Sequence, residues 1–374
     1  MSARKAFHRT VSVVAAAAVA ALGLPGPVSA APVSAAPVPA ALPAAPVSPQ
    51  HTAADLAHAK VTFAGVLAGS LVDGGWARRL DAALARGTVD PLAVSGAPAR
   101  VRAAAVAANA EILRAKGLPA ATGSVLEVRR AGAPGAVLLV AAEVGDDTVE
   151  AVPAYDRAGA RHTLDARVAP AVPVAVVGVD ESRTLAAGID VVRGELAARG
   201  LNGPAPLRAA ADGFWTTRVM SVRLKDDEEP WIKGDAEIYT IVTGVGVDSK
   251  PRVDIVQMPY LDDDGHDYYP GQILVDWSHF RYNAVDAVMM EEDDGTNYRA
   301  LAQAIASALL AILDGVQYAP MVNAILDAIP DSWFTDDPDY VDSWYVLTRQ
   351  SNERRTGARG NGTISFQPYF VTTV

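Results

Sequence analysis

The chain has 374 residues, half of them hydrophobic and 20% charged, with no cysteine and a formal net charge of −11. This composition excludes a disulfide framework and a cysteine nucleophile, and it argues against an unfolded chain. The negative charge also argues against a nucleic-acid partner, because phosphates require a positive protein surface.

The first 30 residues have the pattern of a secretory signal peptide. A basic start precedes an apolar stretch from Val11 to Leu24, and the tripeptide Val-Ser-Ala at 28–30 fits a cleavage site. The apolar stretch is too short to cross a membrane. We therefore expect a secreted, extracellular protein with no transmembrane span in its mature form. Residues 31–51 follow as an Ala/Pro-rich linker, because their prolines disfavour both helix and sheet.

Residues 52–200 predict an α+β domain made of helices and a β-meander. The apolar spacing is helical in three segments up to Lys116, which indicates three helices. The pattern then changes to valine-rich strands separated by glycine-containing turns, and it returns to helical spacing between Leu185 and Leu196. The predicted strands are Ser124–Arg130, Val137–Val144, Val149–Tyr155 and Val172–Val179.

Residues 201–213 predict a second linker, and residues 214–374 predict an acidic domain. Short strands rich in Val, Ile and Tyr favour a mostly antiparallel β-sandwich of C2-like character. A helix capped near Asn297 and a second helix from Pro320 to Pro330 predict a helical insertion over 297–329. The predicted strands are Thr217–Lys225, Asp235–Gly244, Arg252–Met258, Gln272–Trp277, Ala284–Glu291, Trp344–Thr348 and Thr363–Val371. The fold class expected for the whole chain is α+β.

The acidic surplus lies in the C-terminal part of the chain, where residues 212–374 carry 27 acidic and 12 basic residues. Three acidic clusters begin at Asp226, Asp262 and Glu291, each beside a predicted strand. If consecutive strands are antiparallel, alternate loops fall at opposite ends of the sheet, and the three clusters then share one rim. The opposite rim receives the basic residues Lys250, Arg252, His279 and Arg281.

Clustered carboxylates repel one another unless a cation neutralises them, and Ca²⁺ takes about six to eight oxygen ligands. We therefore predict Ca²⁺ as the cofactor of this rim, similar in logic to the loop-rim calcium sites of C2-like sandwiches. The alternative is that the acidic runs are solvated loops that aid solubility. The predicted metal-ligating residues are Asp226, Asp227, Glu229, Asp262, Asp264, Asp293, Asp294 and Asn297.

Catalytic motifs do not select a reaction. The chain has no HExxH, no Gly-x-Ser-x-Gly and no phosphate-binding loop, so no catalytic residue is assigned. Our leading hypothesis is a secreted, calcium-stabilised binding module with an extracellular protein or a glycan as partner. The first alternative is an extracellular, metal-dependent hydrolase that uses the acidic loop rim. The second is a structural or inhibitory protein that docks another exported protein through its N-terminal domain.

Six segments carry a resemblance. They are EPWIKGDAEIY at 229–239, MPYLD at 258–262, YPGQ at 269–272, EDDGTNY at 292–298, WFT at 333–335 and DYVDS at 339–343. On these motifs the chain resembles a family of exported bacterial proteins known only as a domain of unknown function. The resemblance extends over the mature chain and is most specific from Met220 to Tyr345. It implies an exported two-part protein and brings no activity or metal with it.

Overall fold

The first described part of the chain is helical, as the apolar spacing predicts. The computed structural model describes residues 49–144, 150–166, 168–202, 213–226, 236–292, 295–313 and 340–372. The first three helices are α1 (Pro49–Ser70), α2 (Gly74–Leu84) and α3 (Ala99–Ala115). Helix α2 begins where the Asp73 carboxylate accepts hydrogen bonds from the N–H groups of Gly75 and Trp76, which satisfies two donors of its first turn.

A five-stranded sheet follows the helices. Its strands are β1 (Leu126–Ala131), β2 (Leu139–Ala142), β3 (Ala151–Asp156), β4 (Arg161–Asp165) and β5 (Val174–Val179). The order is β1-β5-β2-β3-β4, and β5 is parallel to β2. Strands β2, β3 and β4 form a meander, but β5 lies between β1 and β2. All six residues of β5 are buried, so this strand needs cover on both faces and occupies the interior of the sheet. The exposed strand β4 was not predicted.

Helix α4 (Glu181–Ala198) follows β5 directly, and Asp180 caps it by accepting a hydrogen bond from the Arg183 N–H. Its buried residues recur at helical spacing on one face. They are Thr184, Leu185, Gly188, Ile189, Val192 and Leu196. This face packs against α5 (Tyr298–Leu313), which comes much later in the chain.

The C-terminal half contains two four-stranded sheets. Their strands are β6 (Phe214–Leu224), β7 (Ile238–Val245), β8 (Pro251–Gln257), β9 (Gln272–Asp276), β10 (Val285–Glu291), β11 (Tyr340–Leu347), β12 (Arg354–Thr356) and β13 (Gly362–Val371). One sheet has the order β11-β10-β7-β8 and the other β12-β13-β6-β9, with antiparallel pairing throughout. Seven of these strands match predicted ones. The three-residue β12 is too short for a strand pattern to reveal it.

The facing residues of these two sheets form one hydrophobic core. Val219 and Val222 of β6 contribute to it from one sheet, and Val242 and Met289 contribute from the other. Helix α5 follows β10, the fifth strand of this half, which confirms the predicted position of the first inserted helix. The second predicted helix, at 320–330, lies outside the described residues.

A larger core joins the helices, the five-stranded sheet and the outer face of the β7–β8–β10 layer. Phe63 and Trp76 from the first helices belong to it, and so do Tyr239, Val288 and Leu301 from the C-terminal half. The predicted linker at 201–213 begins with Leu201, which is fully buried in this core. Residues 46–374 form one compact unit. Among the described helices, none combines the length and the apolar character that crossing a bilayer requires.

Candidate functional site

Strands β8 and β9 are the edges of the two four-stranded sheets, and they border an opening that we call the seam cleft. Gln272, the first residue of β9, bridges the two edges at one end. Its Nε2 donates to the carbonyl of Gln257 at 2.7 Å, and its Oε1 accepts from the Tyr260 hydroxyl at 2.7 Å. This side-chain amide ties the last residue of β8 to the first residue of β9.

An imidazole bridges the edges at the other end of the seam cleft. His279 lies in the short 3₁₀ turn after β9, and its Nδ1 is 2.6 Å from Oδ2 of Asp254 on β8. Its Nε2 is 3.6 Å from Oδ2 of Asp276, the last residue of β9. Ser278 fixes the Asp276 carboxylate by donating to its Oδ1 from both the backbone N–H and the hydroxyl.

The contacts of the His279 ring define its protonation pattern. Arg252 Nη2 lies 3.2 Å from Nδ1. A guanidinium group can only donate hydrogen bonds, so it can bond to Nδ1 only if that nitrogen carries no proton. The 2.6 Å contact with the Asp254 carboxylate requires a proton on Nδ1, so we assign the N–H there. Arg252 instead donates from Nε to the other oxygen of Asp254 at 3.0 Å. In the neutral ring, Nε2 is then the acceptor, turned toward Asp276.

The Asp254 carboxylate is held in its charged form. Burial alone would raise its pKa, but the hydrogen bond and charge of His279 and the charge of Arg252 outweigh burial, so the pKa lies below its usual value. Asp254 is therefore a fixed negative charge at neutral pH. It orients the imidazole through the contact with Nδ1.

The seam cleft contains a cavity of about 510 Å³. Helix α4 forms one wall through Arg193 and Ala197, while the strands supply an apolar lining and the polar end described above. The apolar lining residues are Val253, Ile255, Val256, Ile273 and Leu274. A second cavity of about 240 Å³ continues along α4 and shares Arg193 and Ile255 with the first. The two cavities form one groove beside β8.

A second unusual feature is a set of charged side chains inside the larger core, which we call the buried ion cluster. Lys116, directly after α3, and Glu292, directly after β10, are both fully buried, and their Nζ and Oε1 atoms are 2.7 Å apart. Thr184 of α4 donates to the same Oε1 at 3.0 Å, and the Tyr298 hydroxyl donates to Oε2. The Tyr298 ring lies where a side chain at Gly188 would be, so only glycine fits there.

The other half of the buried ion cluster surrounds Glu143. Its carboxylate is 3.6 Å from Lys60 Nζ and 3.6 Å from Arg129 Nη2, and it crosses over Gly178 of β5, where a side chain would collide with it. Glu127 of β1 is close by. Burial, followed by repulsion from Glu143 and Asp180, raises the pKa of Glu127 to about 8.

The family model described as "Protein of unknown function (DUF3103)" matches residues 80–374. The chain belongs to this family. The resemblance to an uncharacterised family predicted from the sequence is therefore confirmed. Neither the curated proteins nor the solved structures gave a match. All residues of the seam cleft, and all of the buried ion cluster except Lys60, lie within the region that the DUF3103 model matches.

The predicted metal ligands are only partly described. Asp227, Glu229, Asp293 and Asp294 lie outside the described residues. Asp226 and the Asp262–Asp264 turn are exposed and lie at the same end of β6, because the Gly265 N–H donates to the carbonyl of Leu224 at 2.8 Å. Among the described residues, no three His, Asp or Glu side chains form a group that could hold a metal.

Asn297 lies apart from the exposed acidic turns. Its Oδ1 accepts from the Ala300 N–H at 3.0 Å and caps α5, and its Nδ2 donates to the carbonyl of Ala115 at 2.6 Å. Glu291 and Glu292, which begin the third acidic cluster, are buried. The sequence pattern identified this segment but not its position inside the core.

The residues of the seam cleft had weak signals in the sequence. Arg252 and His279 were placed together on the basic rim, which matches their contact in the structure. Asp254 and Asp276 are isolated acids that belong to none of the three acidic clusters. The spacing from Asp276 to His279 spans one turn and was the available hint, but an Asp-x-x-His pair is common and selects no chemistry by itself.

Proposed function

We propose that the protein is a secreted binding protein whose ligand occupies the seam cleft. One observation carries the proposal: the edge strands β8 and β9 are bridged at both ends by side chains, while a cavity of about 510 Å³ lies between the bridges. Small-molecule sites are commonly about 300–1,000 Å³, apolar along their length and polar at a few points. Secretion is supported by the signal-peptide pattern of residues 1–30.

The lining specifies the kind of ligand. Val256, Ile273 and Leu274 favour an apolar body. The negative charges of Asp254 and Asp276 are balanced by the positive charges of Arg193 and Arg252 in the same lining, so the cleft does not favour a ligand of either charge. A neutral ligand with an apolar body and a hydrogen-bonding group therefore fits the cleft best. Calcium stabilisation and a metal-dependent hydrolase at the acidic rim remain predictions of the sequence.

Filling the cleft tests the proposal. Ile273 is partly exposed at the cavity wall, so Ile273→Trp should occupy the cavity, whereas Ile273→Ala should leave it open. We expect the neutral fluorescent probe N-phenyl-1-naphthylamine to bind the wild type and the alanine variant at one site. The tryptophan variant should bind it at least roughly tenfold more weakly in a fluorescence titration. Unchanged binding by the tryptophan variant, or no binding by the wild type, would contradict the proposal.

A second candidate function, hydrolysis of a neutral ester, is favoured by the His279 geometry. A carboxylate that orients an imidazole through Nδ1 is the arrangement in which Nε2 acts as a general base. Water would give a proton to Nε2 as its oxygen attacks the ester carbonyl, and the leaving alkoxide would take that proton back. The products are a carboxylic acid and an alcohol. Arg193, on the opposite wall, has the charge to stabilise the tetrahedral oxyanion.

The hydrolase candidate has a matched control in the chain. His162 also contacts a carboxylate, Asp156, at 3.1 Å, but on the exposed strand β4. With 4-methylumbelliferyl butyrate as substrate, we expect His279→Gln to lower kcat/KM at least about 100-fold, and His162→Gln to leave it unchanged. Equal rates for the wild type and the His279→Gln variant would rule out the hydrolase and leave the binding function standing.

A further inference from the structure

The outer edge of β8 alternates between residues that bond to β7 and residues that face away from it. The Met258 N–H donates to the Ile238 carbonyl at 2.7 Å, which fixes the register of the ladder. In an antiparallel pair the bonded positions alternate, so the main-chain groups of Val253, Ile255 and Gln257 point outward from the sheet. Unpaired groups of this kind on an edge strand are a template for hydrogen bonding.

Two of these three outward positions are already occupied by side-chain amides. Asn202 donates from Nδ2 to the Val253 carbonyl at 2.5 Å and accepts at Oδ1 from the Val253 N–H at 2.8 Å. The Gln257 carbonyl receives Gln272 Nε2 at 2.7 Å. The Asn202 contact shows which chemistry satisfies this edge: a planar amide that offers one donor and one acceptor side by side.

Ile255 lies between these two positions and lines both cavities of the groove. Its carbonyl is 3.5 Å from Arg193 Nη2, which is at the limit of a hydrogen bond. Among the described residues, none accepts a hydrogen bond from its N–H. The Arg193 side chain is more than half exposed, so it can move aside when a ligand enters.

We propose that Ile255 pairs with a planar amide of the ligand through both its N–H and its carbonyl, as Asn202 pairs with Val253. The inference rests on the proposed binding function and names its ligand class: short peptides and other N-acylated compounds. The neighbouring amides at Val253 and Gln257 block a longer strand, so one amide is recognised. The substituents on its two sides lie in the cavities of about 510 Å³ and 240 Å³.

A pair of isosteric ligands tests this without altering the protein. N-benzylbutanamide has the amide, and 1-phenylhexan-3-one replaces its N–H by a methylene and cannot donate to the Ile255 carbonyl. We expect the amide to bind at least roughly tenfold more tightly in calorimetric titrations, because a site built around a hydrogen bond rejects an analogue that lacks it. In protein labelled with ¹⁵N-isoleucine, the backbone signal of Ile255 should shift with the same dissociation constant.

The Ile255→Val variant assigns the backbone signal, because that signal disappears from the ¹⁵N-isoleucine spectrum of the variant. Equal affinities for amide and ketone would overturn the inference. So would absence of amide binding, or amide binding that leaves the Ile255 signal unmoved. Binding of N-phenyl-1-naphthylamine that is lost in Ile273→Trp reports separately on the cleft. If this probe still binds the wild type but any of the three contradicting results is found with the amide, the cleft is a ligand site for another class of compound.

Discussion

Replacing Glu292 by glutamine is expected to lower the free energy of unfolding by roughly 3–5 kcal/mol, one of the largest effects available in this chain. The reason is the position of Lys116, whose ammonium group is fully buried 2.7 Å from the Glu292 carboxylate. Removing the negative charge takes away the carboxylate that is paired with this buried ammonium group. Urea denaturation followed by tryptophan fluorescence measures the loss.

A double variant and a surface pair control this experiment. Lys116→Met combined with Glu292→Gln removes both charges and keeps an amide oxygen for Tyr298, so most of the stability should return. Glu111→Gln removes one partner of the exposed Arg114 pair and should change stability by less than about 1 kcal/mol. If Glu292→Gln costs no more than Glu111→Gln, the Lys116–Glu292 pair does not have the role described.

The second large effect is a dependence of stability on pH caused by Glu127. Its pKa is about 8 in the folded protein, chiefly because of burial, against an ordinary value of 4.5. Between pH 4.5 and 8, the folded state therefore keeps a proton on Glu127 that the unfolded state has already released. The free energy of unfolding falls as pH rises through this window, by up to about 5 kcal/mol, and the loss is complete above the folded pKa.

Glutamine at position 127 mimics the protonated side chain and should remove this contribution. Denaturation at a series of pH values is expected to show a flatter profile for Glu127→Gln, with the variant more stable than wild type at pH 8.5. The exposed Glu111→Gln variant should keep the wild-type slope. Direct titration of the Glu127 carboxyl by ¹³C NMR checks the cause, and a midpoint near 4.5 would show that burial does not govern this group.

Periodicity predicted most elements of the fold because it depends on local spacing. The strands that became β6 to β10 were placed within about three residues of their observed ends, since each alternates or runs apolar between polar loops. The position of β5 inside the first sheet was not predicted, because strand order is set by burial on both faces rather than by spacing. Strand β4 is largely exposed and gave no apolar pattern.

The candidate site was less accessible to sequence reasoning. The seam cleft is assembled from α4, β8, β9 and the turn that contains His279, and no two of its charged residues form a recognised motif. The acidic clusters were predicted to form a metal site because runs of like charge are easily recognised in a sequence. The structure divides their described members between exposed turns and the interior, as Asp262 and Glu292 show. Whether a run of carboxylates faces water or lysine depends on contacts distant in sequence, such as Lys116 with Glu292.

The larger core also determines how the protein unfolds. Phe63 and Leu185 from the first half and Tyr298 and Leu301 from the second half belong to the same apolar cluster. Separating the two halves would expose that cluster to water, so we expect them to unfold in one cooperative step. A nascent chain released after α4 would lack the surface that covers this helix, so productive folding has to wait until α5 has been synthesised.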